Sequence, residues 1–220
     1  MFINYLFEDP FFYLAWILIV AFSICVHEYA HASVAWRLGD DTAAREGHLS
    51  LNPFVQMGGM SLIMLLVIGI AWGAVPVSIE RFRHRWAGAV VAVAGPLSNL
   101  VLSAIFALLF VVVTAFWGDA AGHEIPMFFR VGALANGVLF FLNMLPVPMF
   151  DGWSVFSYFF PGLGRISPQS AQHISLVLIL LIFLTPFGGF IWAVGGGIAG
   201  FLMALWGWLF AGSIITAVIL

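Results

Sequence analysis

A chain of 220 residues that is 63% hydrophobic and only 8% charged excludes an ordinary soluble globule, in which about 25% of residues carry charge. Its net charge is −3 and all seven basic residues are arginines, spread along the chain, so no basic footprint for nucleic acid exists. The single cysteine, Cys25, excludes an internal disulfide and reads as a small apolar core residue. The composition predicts an all-α integral membrane protein, one membrane-embedded domain over residues 1–220, with about six hydrophobic segments.

The first segment, residues 11–36, exceeds the roughly 20 residues that cross hydrocarbon and stops at Arg37 and Gly39-Asp40-Asp41. Its length and the acidic Glu8-Asp9 flank distinguish it from a cleavable signal peptide. Residues 42–57 alternate weakly and lack helical amphipathicity. Residues 60–77 form a second apolar stretch interrupted by Gly69 and Gly73, and residues 86–117 a long third one containing Gly95-Pro96. Residues 127–145 form a fourth span that ends at Pro146 and Pro148, directly before Asp151-Gly152. Residues 153–173 read as a loop. Residues 174–220 hold two further apolar legs; a turn at Pro186 leaves the first leg short, so a Pro-kinked helix ending at Gly195-Gly196-Gly197 is expected instead.

Arginines favour the cytoplasmic side. Arg37 and Arg45 follow the first span, and Arg81, Arg83 and Arg85 precede the third. Both clusters stay on one side only if residues 46–80 make no net crossing. Residues 47–57 are therefore expected to dip into the bilayer as an irregular segment and residues 60–77 to return, or the whole stretch to be re-entrant. Irregular backbone is tolerated at depth where it lines a protein cavity. The N-terminus would lie outside and the ends of the first and fourth spans near the cytoplasmic face.

The first span carries His27-Glu28-Tyr29-Ala30-His31, an HExxH pattern. A spacing of four puts both imidazoles on one helical face, where they suit a divalent metal, with the adjacent glutamate able to act as base toward a water. Two imidazoles and a carboxylate are expensive in hydrocarbon, which makes an ordinary surface helix a poor explanation. Catalytic zinc takes three protein ligands. Asp151 is the only acid after Glu124 and follows a broken span, although Asp-Gly is equally a turn dipeptide. The rivals are His48, in the segment expected to dip; His84, among arginines; His123, in a short loop; and His173, near a helix start. Gly95-Pro96-Leu97-Ser98-Asn99 reads first as a small-residue helix contact, ahead of a catalytic role for Asn99. Asn143 suits either a helix–helix hydrogen bond or a polar cavity wall. The many Phe and Trp residues read as lipid contacts and interfacial belts.

With these motifs the chain resembles the site-2 protease family of intramembrane zinc metalloproteases, in its compact prokaryotic branch without a PDZ domain. The likeness rests on HEYAH at 27–31, on GPLSN at 95–99, and on Asn143-Met-Leu-Pro146-Val-Pro148-Met-Phe-Asp151-Gly152, with Gly39-Asp40-Asp41-Thr42 and Leu51-Asn52-Pro53 in support. It spans about residues 15–165. Phe54-Val-Gln-Met-Gly-Gly59 replaces the branch's His-Ile-Asp-Pro stretch, and Ala74 stands where a Lys often precedes Pro76-Val77. The resemblance implies one Zn2+ held by His27, His31 and Asp151, with Glu28 as base and Asn99 or Asn143 as candidate oxyanion or substrate contacts. It implies membrane-protein substrates cut in or near a transmembrane segment, within a bacterial or archaeal cell membrane. Residues 47–57 would offer an edge to the unwound substrate. The rival readings are a membrane metal-ion transporter and a catalytically inactive membrane scaffold.

Overall fold

The computed structural model describes residues 1–163 and 166–219, the side chains of residues 168, 179, 183, 184 and 212–219 excepted; Gly164 and Arg165 of the expected loop lie outside the described residues. The helices are Tyr5–Glu8 (α1), Pro10–Arg37 (α2), Thr42–Arg45 (α3), Pro53–Gln56 (α4), Gly58–Ile68 (α5), Ala87–Trp117 (α6), Glu124–Asn143 (α7), Asp151–Phe159 (α8), Pro168–Leu184 (α9) and Phe187–Ile219 (α10). Four of them, α2, α6, α7 and α10, are long and apolar enough to cross a membrane, and α5 and α9 are shorter apolar helices. The chain is thus an all-α, multi-pass membrane protein.

Sequence chemistry sets the helix limits. Asp9 caps α2 by accepting the Phe12 N–H at 3.0 Å, with Pro10 at the first helical position. Asn52 caps α4 in the same way through the Phe54 N–H. Helices α2, α6 and α7 pack together, and α10 joins them against α6 and α7. Ala15, Ile19, Val20, Ile24 and Cys25 of α2 meet Leu65, Val131 and Ala135 in one apolar core. Small residues let α7 and α10 approach closely: a Cβ on Gly137 would strike the Gly195 carbonyl.

Between α2 and α6 the chain makes an excursion and returns. Helix α5 has 11 residues, about 16 Å, half the hydrocarbon thickness. Gly69, at φ +76°, ends it in the left-handed conformation. Residues 70–78 then run back in extended form. The tip is pinned near the start of α2, where the Tyr13 hydroxyl donates to the Leu66 carbonyl and the Trp16 indole N–H to that of Gly69, each at 2.9 Å. Both ends of the excursion lie beyond the other end of α2. Buried Asp40 accepts the Ser78 N–H at 2.6 Å, and Asp41 pairs with Arg45 and Arg81. The expectation of no net crossing between Arg45 and Arg81 is met.

Residues 47–57 are irregular apart from the single turn of α4, and the extended return runs through 70–78. Two other local expectations are corrected. Gln56 folds the 47–57 stretch onto itself, donating to the carbonyls of His48 and Ser50, while its Oε1 faces His48 Nδ1 at 3.1 Å. Residues 153–159, expected in a loop, belong to helix α8, Asp151–Phe159. The last two helices part at Thr185-Pro186. Ser167 caps α9 and Pro168 opens it, six residues earlier than expected, so a break at Pro186 leaves no short leg. Gly195-Gly196-Gly197 lies inside α10.

Candidate metal centre

Helix α2 supplies His27, Glu28 and His31, each 7% exposed in a span that is otherwise apolar. Asp151 comes from the far side of the molecule. The chain leaving α7 tightens through hydrogen bonds from Val147 N–H to the Leu145 carbonyl and from Phe150 N–H to the Val147 carbonyl, both 2.8 Å. Gly152 lies so close to the carbonyls of Met144 and Leu145 that any Cβ would collide with them. This tight return makes Asp151 the first residue of α8 and delivers its carboxylate to the imidazoles. Asp151 Oδ2 is 3.0 Å from His27 Nε2, Oδ1 is 3.2 Å from His31 Nε2, and the two Nε2 atoms are 3.0 Å apart.

The outer nitrogens fix how the rings point. His31 Nδ1 lies 2.7 Å from the Val91 carbonyl, which can only accept, so Nδ1 carries the proton and Nε2 presents its lone pair inward. His27 Nδ1 is 2.6 Å from Asn99 Oδ1. Gly95 brings the α6 backbone against both rings; a Cβ there would collide with both Nε2 atoms. Two imidazole nitrogens and one carboxylate oxygen within 4.8 Å of one another match the donors that a three-ligand zinc centre needs. The residues present fit the ion.

Beside these groups lies a cavity of about 1130 Å³ walled by α2, α5, residues 70–79, α6 and α8. Glu28 opens onto it, and Gly73 of the extended segment rests against the Glu28 carboxylate so closely that a Cβ would overlap it. Asn143 lines the cavity. Asn99 also borders the cavity but is fully buried, with Oδ1 on His27 and Nδ2 on Asn136 at 3.1 Å. The rival histidines stand apart: His48 is engaged by Gln56, His84 is exposed and stacked on Trp86, and His123 and His173 are exposed. Sequence reading missed Gly73, the Val91 carbonyl and Asn136. Of these only Asn136 carried a signal, as an amide in the middle of an apolar helix.

Peptidase family M50 matches residues 110–186, a stretch that contains Asp151. YwhC of Bacillus subtilis, named as a zinc metalloprotease, is 36% identical over 184 residues, covering 81% of this chain and 83% of the relative. Rip2 of Mycolicibacterium smegmatis, named likewise, is 31% identical over 175 residues, or 74% of this chain and 64% of its own. Rip2 of Mycobacterium tuberculosis H37Rv is 30% identical over 176 residues with the same coverage. No solved structure matches the chain. With identity of this extent and a metal-competent HExxH–Asp cluster inside a bundle of membrane helices, the chain belongs to Peptidase family M50.

Proposed function

We propose that the chain is an intramembrane zinc metalloprotease that hydrolyses peptide bonds in or near transmembrane segments of membrane proteins. The observation that carries the reading is the convergence of His27, His31 and Asp151 beside Glu28 at the edge of a large cavity. His27, His31 and Asp151 hold one Zn2+, which when bound supplies a Lewis acid toward the scissile carbonyl and the attacking water. Glu28 takes the proton of that water and returns it to the leaving amine. The Asn143 amide, on the cavity wall, donates to the carbonyl oxygen as charge develops there. Asp151 and Gly152, held on the end of α7, fix the third ligand against the two on α2.

A substrate helix hides its carbonyls in its own hydrogen bonds and has to unwind before attack. The extended segment 70–78 supports a way to hold the unwound strand. Ser61 Oγ engages both the N–H and the carbonyl of Trp72, and the Gln56 carbonyl accepts the Ala74 N–H at 3.1 Å. In an extended chain the backbone groups of Gly73 and Val75 turn the opposite way, and they have no partner among the described residues. That free edge, next to Glu28, suits strand addition. The arginines at the base of the excursion favour an active site toward the cytoplasmic face of a prokaryotic cell membrane, with the whole chain acting as one membrane unit.

One variant separates this reading from a transporter and from an inert scaffold. In Glu28→Gln the chain keeps stoichiometric zinc but cuts a reporter transmembrane substrate in proteoliposomes at least 100-fold more slowly, the usual weight of a general base. Unchanged cleavage would overturn the assignment of Glu28. Zinc flux across the liposome wall without cleavage by the unmutated chain would favour transport, a reading that expects ligands strung along several spans. The His27, His31 and Asp151 group is the one set able to hold a metal among the described residues.

A further inference from the structure

Behind His27 a line of buried polar groups crosses three helices. His27 Nδ1 meets Asn99 Oδ1 at 2.6 Å, Asn99 Nδ2 meets Asn136 Oδ1 at 3.1 Å, and Asn136 Nδ2 meets both Ser23 Oγ and the Gly132 carbonyl at 2.9 Å. Ser23, Asn99 and Asn136 are each 0% exposed. Ser23 and His27 lie one turn apart on α2, Asn99 is on α6, and Gly132 and Asn136 are one turn apart on α7.

The direction of this line is set at its far end. A backbone carbonyl can only accept, so the Asn136 atom facing Gly132 is the amine nitrogen, and its second hydrogen goes to Ser23. The Asn136 oxygen is therefore the atom turned to Asn99, which has to answer with its own amine. Asn99 is left with its oxygen toward His27, and that oxygen requires a proton on Nδ1. Reversing either amide sets oxygen against oxygen and strands buried donors, a penalty that full burial makes steep.

We propose that Asn136 and Asn99 are positioning residues that select the Nδ1–H tautomer of His27, so that its Nε2 lone pair is aimed at the metal before the ion arrives. A free neutral imidazole favours the opposite tautomer, which would put a hydrogen on the coordinating nitrogen. His31 reaches the same state directly through the Val91 carbonyl. Both rings are thereby referred to backbone acceptors, one at first hand and one through two amides. The inference rests on His27 being a zinc ligand. It differs from ordinary amide glue between membrane helices, which has no preferred direction.

The test uses the purified full chain in detergent and reads zinc affinity by competition with a chromogenic chelator, beside the melting temperature of the zinc-free protein. Outer partners of a ligating histidine carry about 10-fold to 100-fold of metal affinity. Asn99→Leu should lose that much and Asn136→Leu about 10-fold. Asn99→Asp, whose carboxylate also accepts the Nδ1 proton, should bind zinc within about 3-fold of the unmutated chain even though it melts earlier, a split that a purely structural role does not produce. Cobalt substitution should show an altered ligand-field spectrum in Asn99→Leu and an unaltered one in Asn99→Asp. Should the leucine variants fail to fold, 15N spectra of the zinc-free, histidine-labelled chain at mildly alkaline pH report the tautomer directly, the His27 signal being the one missing from His27→Ala. Protonated Nδ1 supports the relay and protonated Nε2 overturns it. Leucine variants that melt earlier yet bind zinc normally would also overturn it, with His27→Ala still losing the metal. Normal zinc binding by His27→Ala would instead remove the ligand assignment, and the relay with it.

Discussion

Gly95→Ala is a one-carbon test of the centre. The added methyl would sit inside ordinary contact distance of both Nε2 atoms, and ordinary van der Waals contact begins at 3.4 Å. Relieving the overlap requires the rings or the α6 backbone to retreat by about one ångström, several times the roughly 0.2 Å latitude of a coordination bond. The rings cannot swing freely, because His31 is tied to Val91 and His27 to Asn99 on the same helix. The backbone is no freer, since α6 packs against α2 and α7. Zinc affinity should fall by about 100-fold or more, comparable with loss of an entire outer partner. Helix stability will not explain the result, because glycine to alanine inside a helix favours folding by up to about 1 kcal/mol. Gly88→Ala, one residue into the same helix on the cavity wall with nothing within 4 Å of its added methyl, is the control for zinc content. Zinc content by metal analysis and cleavage of a reporter substrate are measured on both, with far-ultraviolet circular dichroism to confirm the fold. A Gly95→Ala chain that retains zinc and cleaves normally would refute the claim that α6 touches the rings at this point.

Gly73→Ala should give the complementary phenotype. Its methyl strikes the Glu28 carboxylate and not the metal ligands, so zinc stays bound while turnover falls by about 100-fold; equal loss of zinc and turnover would refute the division. Asp40 provides the pH test. Burial acts to raise its pKa, but hydrogen bonds from the Thr42 hydroxyl and from the Ser78 and Thr42 N–H groups, with the charge of Arg81, prevail and hold it below the usual carboxylate range. The folded chain therefore binds this proton less readily than the unfolded chain. The stabilisation is complete above about pH 5 and drains away as pH falls through the folded-state pKa. Asp40→Asn should cost about 1–3 kcal/mol at neutral pH, and the gap in melting temperature between it and the unmutated chain should narrow from pH 6 to pH 3.5; a constant gap would count against the role of Asp40.

The residues that converge were legible, His27 and His31 from their spacing and Asp151, which the residues alone left even with a turn, from the family resemblance. Ten acids occur in 220 residues, and past Glu124 Asp151 is the only one. The return of the 42–78 excursion was legible because arginines on both sides of it have to share a face, and the Asp41–Arg81 pair and the Asp40–Ser78 bond close that loop in space. Which part of the excursion runs extended was not legible. Weak alternation at 47–57 is a local pattern, whereas the extension of 70–78 is imposed by partners far away in sequence, Ser61, Gln56 and Asp40. The start of α9 was overlooked because Ser167-Pro168 sits in a polar, Pro-rich stretch whose composition imitates a loop. Glycines conceal most. Gly73 and Gly95 advertise only smallness, and nothing in the sequence says that one admits a carboxylate and the other two imidazoles.

The buried polar side chains of the spanning helices expose the logic of the site. Ser23, His27, Glu28, His31, Asn99, Ser103 and Asn136 are all buried, and each costs free energy in an apolar bundle unless it finds a partner. Ser103 is satisfied locally, donating to the Ala133 carbonyl at 2.8 Å. Five of the other six belong to the centre and its relay, and Glu28 lies beside them on the cavity wall. The lines of support end on carbonyls of Val91 and Gly132, which never change protonation, so the lone pairs of both rings keep one direction whether or not the cavity is wet. In the proposed reading the edge offered to a substrate lies outside this framework, on the extended segment held by Ser61 and Gln56. Metal retention and substrate handling therefore reside in different elements, and that separation is why single-methyl changes at Gly95 and Gly73 are expected to abolish cleavage by different routes.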